Sequence, residues 1–174
     1  MLEREALFPE VVADILPRDP AYWPNVVCLH SSSIPGPALA TLVEQADRTL
    51  LAYLRTQPLA EAIAARVDAR LASPLTSQDE TLAHTRSLGA ANDPRTHPEY
   101  LRWLALHGDT EVRRALASND NTSPDTLVAL SATFPEEVTR NRRWYTWTTW
   151  ESLPVPFLEL LLETRQTPGL GDWI

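Results

Sequence analysis

Apolar positions fall at helical spacing along much of the chain. Leu101 and Leu104 sit three apart, as do Leu127 and Leu130, so each pair faces one way on a helix. Between them Val112, Ala115 and Leu116 predict a shorter helix over about Thr110 to Ser118, separated from its predecessor by the stop Gly108-Asp109. Upstream, Leu39, Leu42, Val43, Leu50, Leu51 and Leu54 mark one apolar face from Pro37 to about Thr56, and Pro58 opens a further helix to about Leu71. Arg4 to Ile15 reads as a short amphipathic helix interrupted by Pro9. Pro17 to Pro24 is rich in turn formers, and Ser31-Ser32-Ser33-Ile34-Pro35-Gly36-Pro37 is a breaker before a helix start.

The pattern repeats. Offset by 26 residues, Ala91 meets Ala117, Thr96 meets Thr122, Pro98 meets Pro124, Leu101 meets Leu127 and Leu104 meets Leu130. Glu111, Val112 and Arg114 meet Glu137, Val138 and Arg140 in the same register. Thr96-His97-Pro98-Glu99 and Thr122-Ser123-Pro124-Asp125 read as helix starts. A hydroxyl can cap free N–H groups, the proline stands where no donor is needed, and an acid faces the positive end of the helix dipole. Each period is thus a helix, a turn, a short helix and a loop, and Pro135-Glu136-Glu137 opens the last short helix. One such pair cannot cover its own apolar stripe, so neighbours must stack.

Degenerate copies flank the two regular ones. Val67, Leu71, Ala72 and Ser73 lie over Val112, Leu116, Ala117 and Ser118, and this unit is expected to have lost part of its second helix. Pro154, Phe157 and Leu160 follow Pro124, Leu127 and Leu130 at an offset of 30, after a four-residue insertion. Residues 1–66 are expected to form a helical N-terminal cap, and residues 67–174 the repeat array with a Trp-rich C-terminal cap, within one continuous domain.

The stretch from Asp109 through Val112-Arg113, Ala117-Ser118-Asn119 and Thr122-Ser123-Pro124 to the paired Leu127 and Leu130 resembles the leucine-rich repeat variant family. The likeness covers about residues 67–143, with HEAT-like repeats as the nearest competing class. It implies an all-α fold, a right-handed α-α solenoid of short helical repeats, and a scaffold-type role. Some members of that family carry an iron–sulfur module. A chain whose one cysteine is Cys28 lacks it, so no cofactor is expected.

Charge narrows the choice of partner. The net charge of −8 opposes nucleic acid and anionic membranes. Residues 1–84 carry −5 and residues 144–174 carry −3, whereas residues 85–143, with eight acids and eight Arg, are neutral. All fifteen basic residues are Arg. A single cysteine excludes an intrachain disulfide, and the charged N-terminus and lack of a span-length apolar run predict a cytoplasmic protein with no membrane partner.

Two adjoining features are candidate contact residues. Arg113 and Arg114, with Arg140, Arg142 and Arg143 one unit on, would form a ladder along a stacked array. Such a ladder could hold phosphates, or it could be consumed by Asp109, Glu111, Glu136 and Glu137. Trp144, Trp147 and Trp150 are three apart and would form either an exposed anchor stripe or a plug for the last groove. The four histidines have no ligand-type spacing, Ser31 to Ser33 lie in no nucleophile motif, and Asn92, Asn119 and Asn121 suit local loop bonds. The expected function is a non-catalytic protein–protein interaction scaffold, with nucleic-acid binding through the arginines as the alternative.

Overall fold

The computed structural model describes residues 23–30, 34 and 36–143. All regular structure among them is helical: α1 Trp23–His30, α2 Gly36–Gln45, α3 Arg48–Arg55, α4 Glu61–Ala72, α5 Ser77–Asn92, α6 Pro98–His107, α7 Thr110–Ser118, α8 Pro124–Ser131 and α9 Pro135–Arg140. The expected helix over Arg4 to Ile15, the Trp stripe and the last degenerate copy lie outside the described residues.

The regular units behave as their spacing predicts. Leu101 and Leu127 are both fully buried, as are Leu104 and Val138, and Val112 and Leu130 are nearly so. Helix α7 packs against α5 and α9, while α6 packs against α1 and α8, so α5, α7 and α9 form one layer and α1, α6 and α8 another. The layers touch through α5 and α6, α6 and α7, α7 and α8, and α8 and α9. One apolar core runs from Trp23 to Val138 without interruption. Cutting Leu127 to Ala should therefore cost about 2–5 kcal/mol, through lost transfer energy and a cavity.

Local chemistry departs from expectation in several places. The prolines occupy the first turns of α6 and α8 as expected, but the preceding threonines do not cap. The caps are His97, whose ring accepts from Glu99 N, and Ser123, whose hydroxyl accepts from Thr126 N. Thr96 and Thr122 are buried instead, and Thr122 donates to Leu116 O at 2.7 Å, closing the loop between α7 and α8. The apolar run from Pro37 to Thr56 is two helices. Asp47 breaks it because its carboxylate accepts from Leu50 N at 2.9 Å, an N-cap that starts α3. The C-terminal end of α2 is held by Arg70, which reaches over from α4 to donate to Val43 O at 2.9 Å and Ala46 O at 3.2 Å. The degenerate unit is a single helix where a regular unit has two: α5 runs for 16 residues from a Thr76/Asp79 capping box, and it packs against α7 as α7 packs against α9.

Gly108 ends α6 with ordinary extended backbone, so its role is space rather than left-handed conformation. A Cβ there would meet Leu104 O at 2.6 Å and Val112 Cγ1 at 2.8 Å. The turn into α7 is too tight for a side chain.

Candidate binding site

The joints between units decide which surfaces are free to bind. Helices α5, α7 and α9 each end in a polar cap residue: Asp93 after α5, Asn119 after α7 and Asn141 after α9. The Asn119 amide donates to Ala91 O at 2.7 Å and to Asp93 O at 3.0 Å. One unit later the Asn141 amide donates to Ala117 O at 2.9 Å and to Asn119 O at 3.0 Å. Each rung also closes its own loop, since Asn121 N donates to Asn119 Oδ1 at 2.8 Å and Arg143 N to Asn141 Oδ1 at 2.9 Å. Both asparagines are buried, where an unpaired carbonyl is costly, so the two carbonyls each receives from the preceding unit select for an amide.

At the first rung the residue is an acid, which cannot donate. Asp93 instead accepts from Arg95 N at 2.9 Å and pairs with the Arg95 guanidinium, which with backbone N–H donation holds its carboxyl below the usual range. Asn25 of α1 takes over on this side, donating to Arg95 O at 3.0 Å and accepting from His97 N. The asparagine ladder therefore starts at α5. Its local bonds were legible in the sequence, but its reach into the preceding unit was not. Asn119 and Asn141 lie 22 residues apart rather than 26, because α9 starts one residue early on that offset and has 6 residues against 9 in α7. The offset that aligns the helix starts thus misaligns their ends.

The candidate arginines sit on and beside this ladder, and most are engaged. Arg114 of α7 pairs with Glu137 of α9 at 3.3 Å and lies over the Phe134 ring at 5.7 Å. Arg140 pairs with Glu136 at 3.4 Å within α9. Arg143 donates to Asp120 O at 2.9 Å and to Asn121 Oδ1 at 3.3 Å, binding the end of α9 to the loop before α8. Arg113 is half-buried with its Nε 3.4 Å from Asp109 O, and Arg142 is exposed. Of the two readings of these side chains, the contacts favour pairing with acids and loop carbonyls over a free phosphate ladder. Trp144, Trp147 and Trp150, the other half of the candidate patch, lie outside the described residues.

A second feature went unread in the sequence. A cleft of about 430 Å³ opens between α3, α5, α6 and α7, lined among others by Arg48, Glu80, His84, Trp103, His107 and Asp109. The Trp103 ring stacks on Tyr100 at 6.0 Å and lies 4.6 Å from the His107 ring. Its indole N–H is buried with no hydrogen-bond partner among the described residues. Tyr53 meets both Tyr100 and Trp103 edge-on and shares a 2.8 Å hydrogen bond with Cys28. Burial pushes the Cys28 thiol and the Tyr53 and Tyr100 phenols up, so all three stay protonated near neutrality. At the cleft rim His84 Nδ1 meets Asp109 Oδ2 at 2.7 Å and its Nε2 meets Glu111 at 3.4 Å. An acid–imidazole pair can serve a nucleophile, but here the outer nitrogen faces a second carboxylate, and the nearby Ser87 hydroxyl donates to Ala83 O. Among the described residues no group of three or more metal-type side chains is placed to hold an ion, and no helix is long and apolar enough to cross a membrane.

No family model, no curated protein and no solved structure matches this chain.

Proposed function

We propose that the chain is a non-catalytic protein–protein interaction scaffold, built as a right-handed α-α solenoid of the leucine-rich repeat variant type and working in the cytoplasm. The observation that carries this reading is the asparagine ladder. It joins α5 to α7 and α7 to α9 through the same pair of amide-to-carbonyl bonds, which supports a stack whose equivalent side chains lie along one surface. A rigid, periodic surface suits an extended partner better than it suits a reaction, which needs unlike groups converging on one point. A chain whose one cysteine is Cys28 fits a reducing compartment.

The contact face proposed is that of α7 and α9 with the segment that follows, carrying Arg113, Arg114, Arg140, Arg142 and Arg143. Glu137 and Glu136 already hold two of these guanidiniums, which argues for a protein surface and weakens the alternative of nucleic acid. The test is affinity capture with the full chain beside an Arg113→Glu/Arg142→Glu double variant that circular dichroism shows to be folded. A partner held in stoichiometric amount by wild type and lost from the variant supports the assignment. Identical partner sets remove this face from consideration. Co-purifying nucleic acid, released with a steep salt dependence, would establish the alternative instead.

A further inference from the structure

A second cleft, of about 310 Å³, adjoins the first, and Arg48 and Leu75 line both. It lies between the α2–α3 corner, the C-terminal end of α4 and the first part of α5, and three guanidiniums line it: Arg48, Arg70 and Arg86. Two carboxylates line it as well, and both are committed as helix caps. Asp47 accepts from Leu50 N at 2.9 Å, and Asp79 accepts from Thr76 N at 3.0 Å and from the Thr76 hydroxyl at 2.6 Å. Arg70 spends its donors on Val43 O and Ala46 O and lies 3.9 Å from Glu44, so its part is fixed charge. Arg48 donates to Ser73 O at 3.3 Å, and Arg86 makes long contacts to Gln45 O at 3.5 Å and Asp47 Oδ2 at 3.4 Å. A guanidinium carries five N–H donors. Most of those on Arg48 and Arg86 therefore have no acceptor among the described residues.

An independent observation falls on the same cleft. Leu75 and Leu82 are each 45% exposed, two of the three large apolar side chains so exposed among the described residues, and both line it. We propose that this cleft binds a small amphipathic anion: a carboxylate or phosphate head on a short apolar chain or ring. The head takes the unused donors of Arg48 and Arg86, since each guanidinium is a planar fork that can meet two oxygens of one oxyanion. The apolar part covers Leu75 and Leu82 and removes their surface from water. Three guanidiniums against two committed carboxylates make this a cationic spot on a chain of net charge −8, which selects an anion over a cation. The volume stands at the low end of small-molecule sites, about 300–1,000 Å³, which favours a small ligand over a segment of protein. The site lies outside the two regular repeats and does not rest on the scaffold reading.

Titration of the full chain with hexanoate and with hexyl phosphate, followed by backbone amide chemical shifts, tests this. At least one of the two should give saturable shifts centred on residues 46–48, 73–75 and 79–86, and the tighter one names the head. Hexanol lacks the charge and acetate lacks the chain. Each should bind about tenfold more weakly or worse, the loss expected of one charge-assisted hydrogen bond or of a few buried methylenes. Arg48→Gln and Leu82→Gln should each weaken the preferred probe by a similar factor, while Arg142→Gln, outside the cleft, should leave it unchanged. Leu82 is exposed, so Leu82→Gln carries the test should Arg48→Gln fail to fold. Shifts that rise linearly with both anions, a response to hexanol equal to that of hexanoate, or wild-type affinity in the folded variants would overturn the proposal. None of these readouts needs a protein partner, so each stands apart from the proposed scaffold role.

Discussion

Asn119 and Asn92 are near neighbours in sequence type and opposites in consequence. Asn92 donates to Leu88 O within α5 and is exposed, whereas Asn119 is buried and bonds two carbonyls of the preceding unit. Asn119→Ala strands both acceptors, and urea melts should show a loss of about 1–3 kcal/mol, against a few tenths for Asn92→Ala. Gly108→Ala should cost a similar 1–3 kcal/mol by overpacking, because the added carbon would press on Leu104 O and Val112. Cys28 gives a chemical readout at the same scale. Its thiol is pushed up by burial, so reaction with a disulfide reagent at neutral pH should be slow in the native protein and rapid in denaturant. Native reactivity equal to that of a free thiol would contradict the packing of α1 against the Tyr53 cluster.

At the scale of elements, capping decides where helices begin. Asp109 starts α7 by accepting from Val112 N. Asp109→Ala should cost about 1 kcal/mol in a denaturant melt. Its carboxyl is held low, first by that N–H. The stability it contributes is therefore present above the usual carboxylate range and lost as pH falls through the depressed value. Asp109→Asn should keep most of the capping while flattening this acid limb. The same chemistry explains how much was legible beforehand. Pro98 and Pro124 announced α6 and α8, and the leucine pairs their buried faces. Asp47 was overlooked within what reads as one apolar face from Pro37 to Thr56, because one carboxylate outweighs hydrophobic spacing when it can start a new helix. Helix α1 was hidden by Pro24, which reads as a turn former yet lies in a first turn where it removes no needed donor.

For the whole molecule, periodicity foretold like environments for Leu101 and Leu127, and both are fully buried. The means of joining units was invisible to it, since a ladder whose rungs are spaced by 26 and then 22 residues leaves no single period. Spacing already offers Glu136 to Arg140 as an i,i+4 pair, whereas the Arg114–Glu137 pair depends on how α7 and α9 face one another. His84 and its two carboxylates lie 25 and 27 residues apart and meet only once the units stack. The most direct test of that stacking is hydrogen exchange on Asn119→Ala beside wild type. Faster exchange should spread from residues 119–123 into the C-terminal end of α5 and the loop through Thr96, whose carbonyls and turns the amide holds from the next unit. Acceleration confined to residues 119–123, with α5 unchanged, would mean that the units are not joined through the ladder.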